Sequence, residues 1–150
     1  MHLIAKVSST IEAAVRIPSF HIADPTASKI REAGYSKVGL LGTLFTMEQG
    51  FYIDRLQKHH GLQVLVPKSE DREIVHRVIY EELCLGRILP KSRAEYRRVI
   101  ADLKGRGAQA IILGCTEISL LVGPEDSEIP LFDTTRIHAR SAAEWALAME

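Results

Sequence analysis

The sequence predicts an α/β protein whose parallel, doubly wound, four-stranded sheet is flanked by helices. Short apolar runs recur along the chain, segments with helical spacing separate them, and glycines fall where those helices should end. The four runs are residues 37–42, 62–67, 108–114 and 129–133. Such short, continuously apolar runs are typical of parallel strands that are covered on both faces. Residues 19–24 are a candidate fifth strand.

Helical spacing separates the predicted strands. It covers residues 46–60, 69–85 and 91–107, and in the last of these Tyr96, Val99, Ile100 and Leu103 share one stripe. Thr46 and Ser69 stand where two helices should begin. The expected helix ends are Gly34, Gly61, Gly86 and Gly107.

Two further amphipathic helices are predicted at the ends of the chain. The first carries Leu3, Ile4, Val7, Ile11, Ala14 and Val15 on one stripe, and the last carries Ile137, Ala142, Trp145 and Ala146. We therefore divide the chain into an initial helix (1–16), an α/β lobe (17–134) and a final helix (135–150). Both stripes need a covering surface, which the α/β lobe itself, a missing surface or a partner would provide.

Composition limits the function classes. The chain has 150 residues, of which 46% are hydrophobic, and this suits one main domain. Its 19 basic and 19 acidic residues give no net charge, which disfavours nucleic acid and anionic membranes as partners. We expect a cytoplasmic protein, because the start of the chain lacks a signal-peptide pattern and the apolar runs are short. Its two cysteines, Cys84 and Cys115, are expected to be reduced.

Candidate site residues follow the predicted strands, because ligands of parallel sheets bind beyond the carboxyl ends of the strands. These residues are Thr43, Thr46, Cys115, Thr116, Glu117 and Thr134. Thr43 and Thr46 surround a turn after Gly42 and would suit a carboxylate or a phosphate. The alternative is that Thr46 only caps a helix and Thr43 only forms a turn. The glycine spacing fits neither a dinucleotide fingerprint nor a P-loop.

Cys115 is the candidate for chemistry. It follows a predicted buried strand and stands at the expected first turn of a helix, where unpaired N–H groups would favour its thiolate. The alternative is an inert buried thiol. Leu121 occupies the place where a phosphatase loop would need arginine, and no histidine lies near Cys115 in sequence to activate a nucleophile. We therefore favour a thiolate that acts as a base.

The remaining candidates are expected to be structural. Cys84 lies near a predicted helix end among apolar neighbours, which favours a packing role, and His59 and His60 are typical of a solvated helix end. Surface or hydrogen-bonding roles are expected for His21, Asp24, His76 and His138. No metal site is predicted.

Four motifs carry a family resemblance. They are Gly114-Cys115-Thr116-Glu117, Gly42-Thr43-x-x-Thr46-Met47, Ile-Tyr-Glu-Glu-Leu at residues 79–83, and Ile-Pro-Leu-Phe-Asp-Thr at residues 129–134. In this order they resemble the aspartate/glutamate racemase family through nearly the whole chain. The resemblance implies an enzyme without a cofactor, built from two similar α/β lobes that hold the amino acid between them. It also leads us to expect a homodimer.

The resemblance assigns roles to the candidate residues. Each lobe of the family supplies one acid/base group, and Cys115 matches that of the second lobe. Thr43, Thr46 and Thr116 match positions expected to hold the carboxylates of aspartate or glutamate, and Glu117 is expected to order the thiol and its loop at the substrate site.

The chain departs from the family pattern in two places. Met1 and His2 resemble the end of the first lobe's Asn-Thr-Met-His segment, so nearly all of that lobe is expected to be absent and the activity to be low or lost. Many relatives also carry a lysine near the position of Cys84. Two alternatives therefore stay open: a non-catalytic carboxylate-binding lobe, and a related maleate isomerase, malonate decarboxylase or hydantoin racemase.

Overall fold

Four short parallel strands form the sheet. In the computed structural model, which describes residues 7–16 and 19–148, they are β1 (Lys37–Leu41), β2 (Gln63–Leu65), β3 (Ala110–Leu113) and β4 (Leu131–Asp133). Their order is β2-β1-β3-β4, and every neighbouring pair is parallel. Leu113 pairs with Leu41 on one side and with Asp133 on the other, so the ends of three strands lie side by side. The predicted parallel sheet is confirmed.

Helices connect the strands. They are α1 (Ser8–Ala14), α2 (Ala23–Glu32), α3 (Leu44–Glu48), α4 (Gly50–Asp54), α5 (Ser69–Glu81), α6 (Pro90–Gly105), α7 (Ile118–Leu121) and α8 (Thr134–Leu147). A π-helical turn (Arg55–His59) continues α4, and 3-10 turns follow α5 (Leu83–Leu85) and α7 (Pro124–Asp126). The predicted helix ends at Gly34, Gly61, Gly86 and Gly107 are confirmed, since all four glycines have positive φ.

The core has one layer on each face of the sheet. Ile111 of β3 packs in a cluster with Tyr96 and Leu103 of α6. The next residue, Ile112, packs in the other cluster with Ile30 of α2 and Leu56 of the π-helical turn. Because successive strand side chains point to opposite faces, this alternation shows that helices cover both faces, as a doubly wound fold requires.

Two predicted elements differ from the structure. Residues 19–24 do not form a fifth strand, because α2 already begins at Ala23, whose N–H donates to Nδ1 of His21 over 3.1 Å. The helix predicted over residues 46–60 is broken at Gln49, whose backbone is extended and separates α3 from α4. Thr46 is therefore inside α3, and Thr43 occupies the N-cap position that was predicted for Thr46.

The terminal helices expose much of their apolar stripes. Val7, Ile11 and Val15 are each about 40% exposed, and Trp145 of α8 is 44% exposed. Leu3 and Ile4 of the predicted first stripe lie outside the described residues. The division into segments 1–16, 17–134 and 135–150 stays a prediction. Within residues 7–16 and 19–148, no helix is long and apolar enough to span a membrane.

Candidate functional site

A cavity of about 230 Å³ opens at the carboxyl edge of the sheet. Thr43 reaches it from the end of β1, and Cys115 reaches it from the end of β3. The two segments meet because Leu41 and Leu113 are paired in the sheet. The full lining consists of Thr43, Ile79, Tyr80, Cys84, Cys115, Thr116 and Glu117. The structure thus brings four of the six candidate residues into one cavity. The other two, Thr46 and Thr134, are buried outside its lining, and the Thr134 hydroxyl donates to the Leu113 carbonyl oxygen over 2.8 Å.

The backbone around Gly42 allows α3 to approach the sheet closely. A Cβ atom on Gly42 would lie 3.0 Å from Cβ and 3.1 Å from Cγ2 of Thr46. Thr46 is completely buried by this packing and lies behind Thr43. The hydroxyl oxygens of Thr43 and Thr46 are 3.2 Å apart, so Thr46 supports the hydroxyl of Thr43, which lines the cavity.

Cys115 lies in the wall of the cavity with only 5% of its surface exposed. Burial raises the pKa of its thiol to about 11, while a hydrogen bond from the backbone of Thr43 acts in the opposite direction. The carboxylate of Glu117 raises this pKa further, since a second negative charge nearby disfavours the thiolate. At neutral pH the group is therefore a thiol.

The expectation that a helix start would favour the thiolate is wrong. The helix that follows, α7, begins only at Ile118 and contains four residues, so Cys115 precedes its first turn. The N–H that reaches the sulfur belongs instead to Thr43, on the neighbouring strand end. Burial outweighs this single hydrogen bond, and for that reason the net change in pKa is upward.

Thr116 and Glu117 form the turn between Cys115 and α7. Thr116 is exposed, and Glu117 is partly exposed. The turn is held by a hydrogen bond from the Ser119 hydroxyl to the Thr116 carbonyl oxygen over 3.1 Å. Burial raises the pKa of the Cys84 thiol and Glu117 raises it further, so the Glu117 carboxylate acts on both thiols of the cavity. Its charge opposes a thiolate and would attract an ammonium group.

Three lining residues, Ile79, Tyr80 and Cys84, were not predicted as site residues, and Cys84 is the one that carries a reactive side-chain type. It was expected to pack in the core, but it is exposed and lines the cavity. After α5 the chain tightens into the 3-10 turn, which buries Leu83 and leaves Cys84 on the outer side. A uniform helical pattern over residues 69–85 did not reveal this change of helix type.

Two of the histidines, His76 and His60, form specific hydrogen bonds. Nδ1 of His76 accepts the N–H of Leu44 over 3.2 Å, at the beginning of α3. Nε2 of His60 lies 2.9 Å from the Asp24 carboxylate, which also receives two hydrogen bonds of 2.7 Å from Arg55. The expectation that His60 is a solvated helix end is therefore wrong.

In residues 7–16 and 19–148, no group of three or more His, Cys, Asp or Glu side chains is arranged to hold a metal ion. The polar side chains that line the cavity carry thiols, hydroxyls and one carboxylate.

Comparison with known proteins identifies the family. The model of the Asp/Glu/hydantoin racemase family matches residues 5–142. The chain belongs to this family. Membership supports a racemase-type function.

Two solved racemase-like structures are similar to this family member. A Yersinia pestis protein provisionally described as an Asp/Glu racemase is 55% identical, with a TM-score of 0.95, and the match covers 98% of this chain and 64% of that one. An aspartate racemase homologue from Pyrococcus horikoshii OT3 is 36% identical, with a TM-score of 0.87, over 99% of this chain and 64% of that one. The chain thus spans less than two thirds of the length of these solved relatives.

A third relative matches over most of its own length. An uncharacterized protein in the pnlA 3′ region of Pectobacterium carotovorum subsp. carotovorum is 29% identical over 136 residues, which are 87% of this chain and 86% of that protein. This racemase-family chain therefore resembles two longer solved proteins and one protein of about its own length.

Proposed function

We propose that the protein acts in cofactor-independent racemisation of aspartate or glutamate, with Cys115 as one of two proton-transferring groups. The observation that carries the proposal is the position of the Cys115 thiol, which lines a small cavity at the strand ends and receives the N–H of Thr43. Racemisation removes the α-proton to give a planar carbanion, and inversion requires that the new proton arrive on the opposite face.

The protonation state of Cys115 fits such a role. With a pKa of about 11, the group is held as a thiol at neutral pH and is ready to give its proton to a carbanion. The corresponding thiolate is a stronger base toward a carbon acid than an ordinary thiolate, although it is present in a smaller fraction. The Thr43 N–H stabilises that thiolate when it forms.

The other lining groups match an amino acid. We assign the α-carboxylate to the hydroxyl of Thr43, supported by Thr46, and to the hydroxyl and N–H of Thr116. The carboxylate of Glu117 is suited to the substrate ammonium group. The volume of about 230 Å³ is below the roughly 300–1,000 Å³ that is common for pockets of drug-sized ligands, which favours a small substrate.

The second proton-transferring group is proposed to lie in the first lobe, which the family resemblance implies. We therefore expect these 150 residues to exchange the α-proton with little or no inversion. Cytoplasmic location and a homodimer complete the proposal.

Incubation with L-aspartate or L-glutamate in heavy water tests the assignment. Wild-type protein should place deuterium at the α-carbon, and Cys115→Ser should abolish that exchange while the fold is retained. Ser28→Ala is the control, because Ser28 is an exposed residue of α2 that does not line the cavity. Unchanged exchange in Cys115→Ser would overturn the role of Cys115.

A second candidate is a carboxylate-binding lobe without catalysis. The raised pKa of Cys115 and the opposing charge of Glu117 favour it, since both keep the thiol protonated. In this case aspartate would raise the thermal midpoint, because it binds only the native state, but no α-deuterium would appear. Inversion of a hydantoin, formation of fumarate from maleate and loss of carbon dioxide from a malonate test the related activities, and the family model itself includes hydantoin racemases.

A further inference from the structure

We propose that His76 is a positioning residue, which holds the turn at Thr43 and Leu44 so that the Thr43 N–H stays directed at the Cys115 sulfur. The inference deepens the proposed function, on which its meaning for catalysis rests. His76 lies on α5, outside the loops that carry the thiol and the hydroxyls.

The contact between His76 and Leu44 joins two separate helices. Leu44 is the first residue of α3, where a backbone N–H has no acceptor within its own helix. Nδ1 of His76 supplies that acceptor over 3.2 Å, from 32 residues further along the chain. Because Nδ1 accepts, the hydrogen of the neutral ring is assigned to Nε2.

Thr43, the neighbour of Leu44, is fixed by several hydrogen bonds. Its carbonyl oxygen accepts the N–H groups of Thr46 and Met47 over 2.9 and 3.0 Å, and its own N–H reaches Cys115. The bond to His76 anchors the adjacent peptide to α5. Movement of that peptide would therefore change the direction of the Thr43 N–H.

His76 also contacts a residue of its own helix that lines the cavity. Its ring lies against Tyr80, with ring centroids 4.8 Å apart, and Tyr80 lines the cavity together with Cys115. His76 itself is partly buried. One side chain thus connects the turn that bears Thr43 with the helix that bears Tyr80.

Two substitutions separate positioning from packing. His76→Leu keeps a side chain of similar bulk but removes the acceptor, whereas His76→Asn can place Oδ1 near the former Nδ1. The readout is the alkylation of Cys115 by iodoacetamide as a function of pH, followed by peptide mass spectrometry. Cys84 is alkylated in the same sample and is the internal control, since it lies on the 3-10 turn and its pKa is raised by burial and by Glu117, with no part played by the Thr43 N–H.

We expect His76→Leu to lower the thiolate fraction of Cys115 at a fixed pH about three- to tenfold, the effect of weakening one hydrogen bond. The midpoint of its alkylation profile should move to higher pH, and the Leu44 amide should exchange faster with heavy water. His76→Asn should restore both, and Cys84 should stay unchanged in each variant.

Three results decide the matter. An unchanged Cys115 midpoint and unchanged Leu44 exchange in His76→Leu would overturn the inference. Equal effects on both cysteines, with no rescue by His76→Asn, would show a general structural role and would also overturn it. Absence of α-deuteration by the wild type would instead overturn the proposed function, while the alkylation and amide-exchange results would still decide the role of His76.

Discussion

Gly114 lies so close to Leu41 that no side chain fits between them. Its N–H donates to the Leu41 carbonyl oxygen over 2.7 Å, and a Cβ atom on Gly114 would lie 2.9 Å from the same oxygen. This contact joins the ends of β1 and β3. It is the reason that Cys115, the next residue, stands beside Thr43.

Substitution of this glycine should therefore damage both stability and the site. We expect Gly114→Ala to lower the free energy of unfolding by about 1–3 kcal/mol, as overpacking does, because the strand ends must separate. Chemical denaturation measures the change. Gly105→Ala is the control, since nothing lies within 4 Å of an added Cβ there, and it should be neutral or slightly stabilising. Equal effects of the two substitutions would contradict the packing argument.

The buried thiol should make stability depend on pH in the alkaline range. Burial raises the pKa of Cys115 from 9.0 to about 11, so the unfolded chain loses this proton first. The stabilisation of the fold by the protonated Cys115 thiol is complete below pH 9 and is lost as the pH rises from about 9 to 11. Relative to Cys115→Ala, the wild type should lose about 3 kcal/mol of unfolding free energy over this range. Denaturation curves at several pH values measure this loss. If the unfolding free energies of the wild type and Cys115→Ala fell by the same amount, the prediction would be wrong.

The carboxylate of Asp24 should contribute to stability with the opposite pH dependence. Burial acts to raise its pKa, but hydrogen bonds from Arg55 and His60 outweigh burial and lower it to about 2. The contribution is present above about pH 4 and is lost as the pH falls toward 2. Since Asp24 is partly exposed, we expect Asp24→Asn to cost only about 1 kcal/mol at pH 6 and nothing near pH 2.

A second aspartate on a neighbouring helix provides the comparison for Asp24. Asp54 forms an exposed pair with Lys58 over 2.7 Å. Asp54→Asn should cost less than about 0.5 kcal/mol in the same denaturation experiment, because solvent screens such pairs. If Asp54→Asn lowered the free energy of unfolding as much as Asp24→Asn, the partly buried pair of Asp24 would be no stronger than an exposed pair.

The hydroxyl of Thr46 should matter for ligand binding rather than for folding. If Thr43 and Thr46 act together on a carboxylate, Thr46→Val should weaken aspartate binding about two- to tenfold. Calorimetric titration measures the affinity. Thr26→Val is the matched control, since Thr26 is equally buried and its hydroxyl donates to the Ile22 carbonyl oxygen, far from the cavity lining in sequence. If both variants bound aspartate with equal affinity, Thr46 would have no role in binding the carboxylate.

Periodicity was sufficient to predict the sheet and most of the helices. The apolar runs at β1 and β3 are buried on both faces, and continuous apolar runs of this kind can be recognised from the sequence alone. The positive φ at Gly86 and Gly107 likewise follows from the residue type at a helix end. The carboxyl ends of these strands then brought Thr43 and Cys115 together, as the general rule for parallel sheets predicts.

The remaining parts of the site depend on contacts between distant segments. The bond between His76 and Leu44 spans 32 residues and leaves no local pattern in the sequence. The exposure of Cys84 results from a change of helix type after Glu81. The protonation state of Cys115 was predicted in the wrong direction, because the degree of burial that controls it exists only in the folded protein.

The cavity is built from two kinds of wall. Thr43 and Cys115 extend from the rigid sheet, whereas Tyr80 and Cys84 belong to the end of α5 and the turn after it. Tyr80 and Cys84 are exposed, so substitutions there change the second wall without disturbing the core, while Cys115 keeps its place at the strand end. On the proposed function, a library restricted to these two positions is the economical way to redirect the cavity toward other small acids.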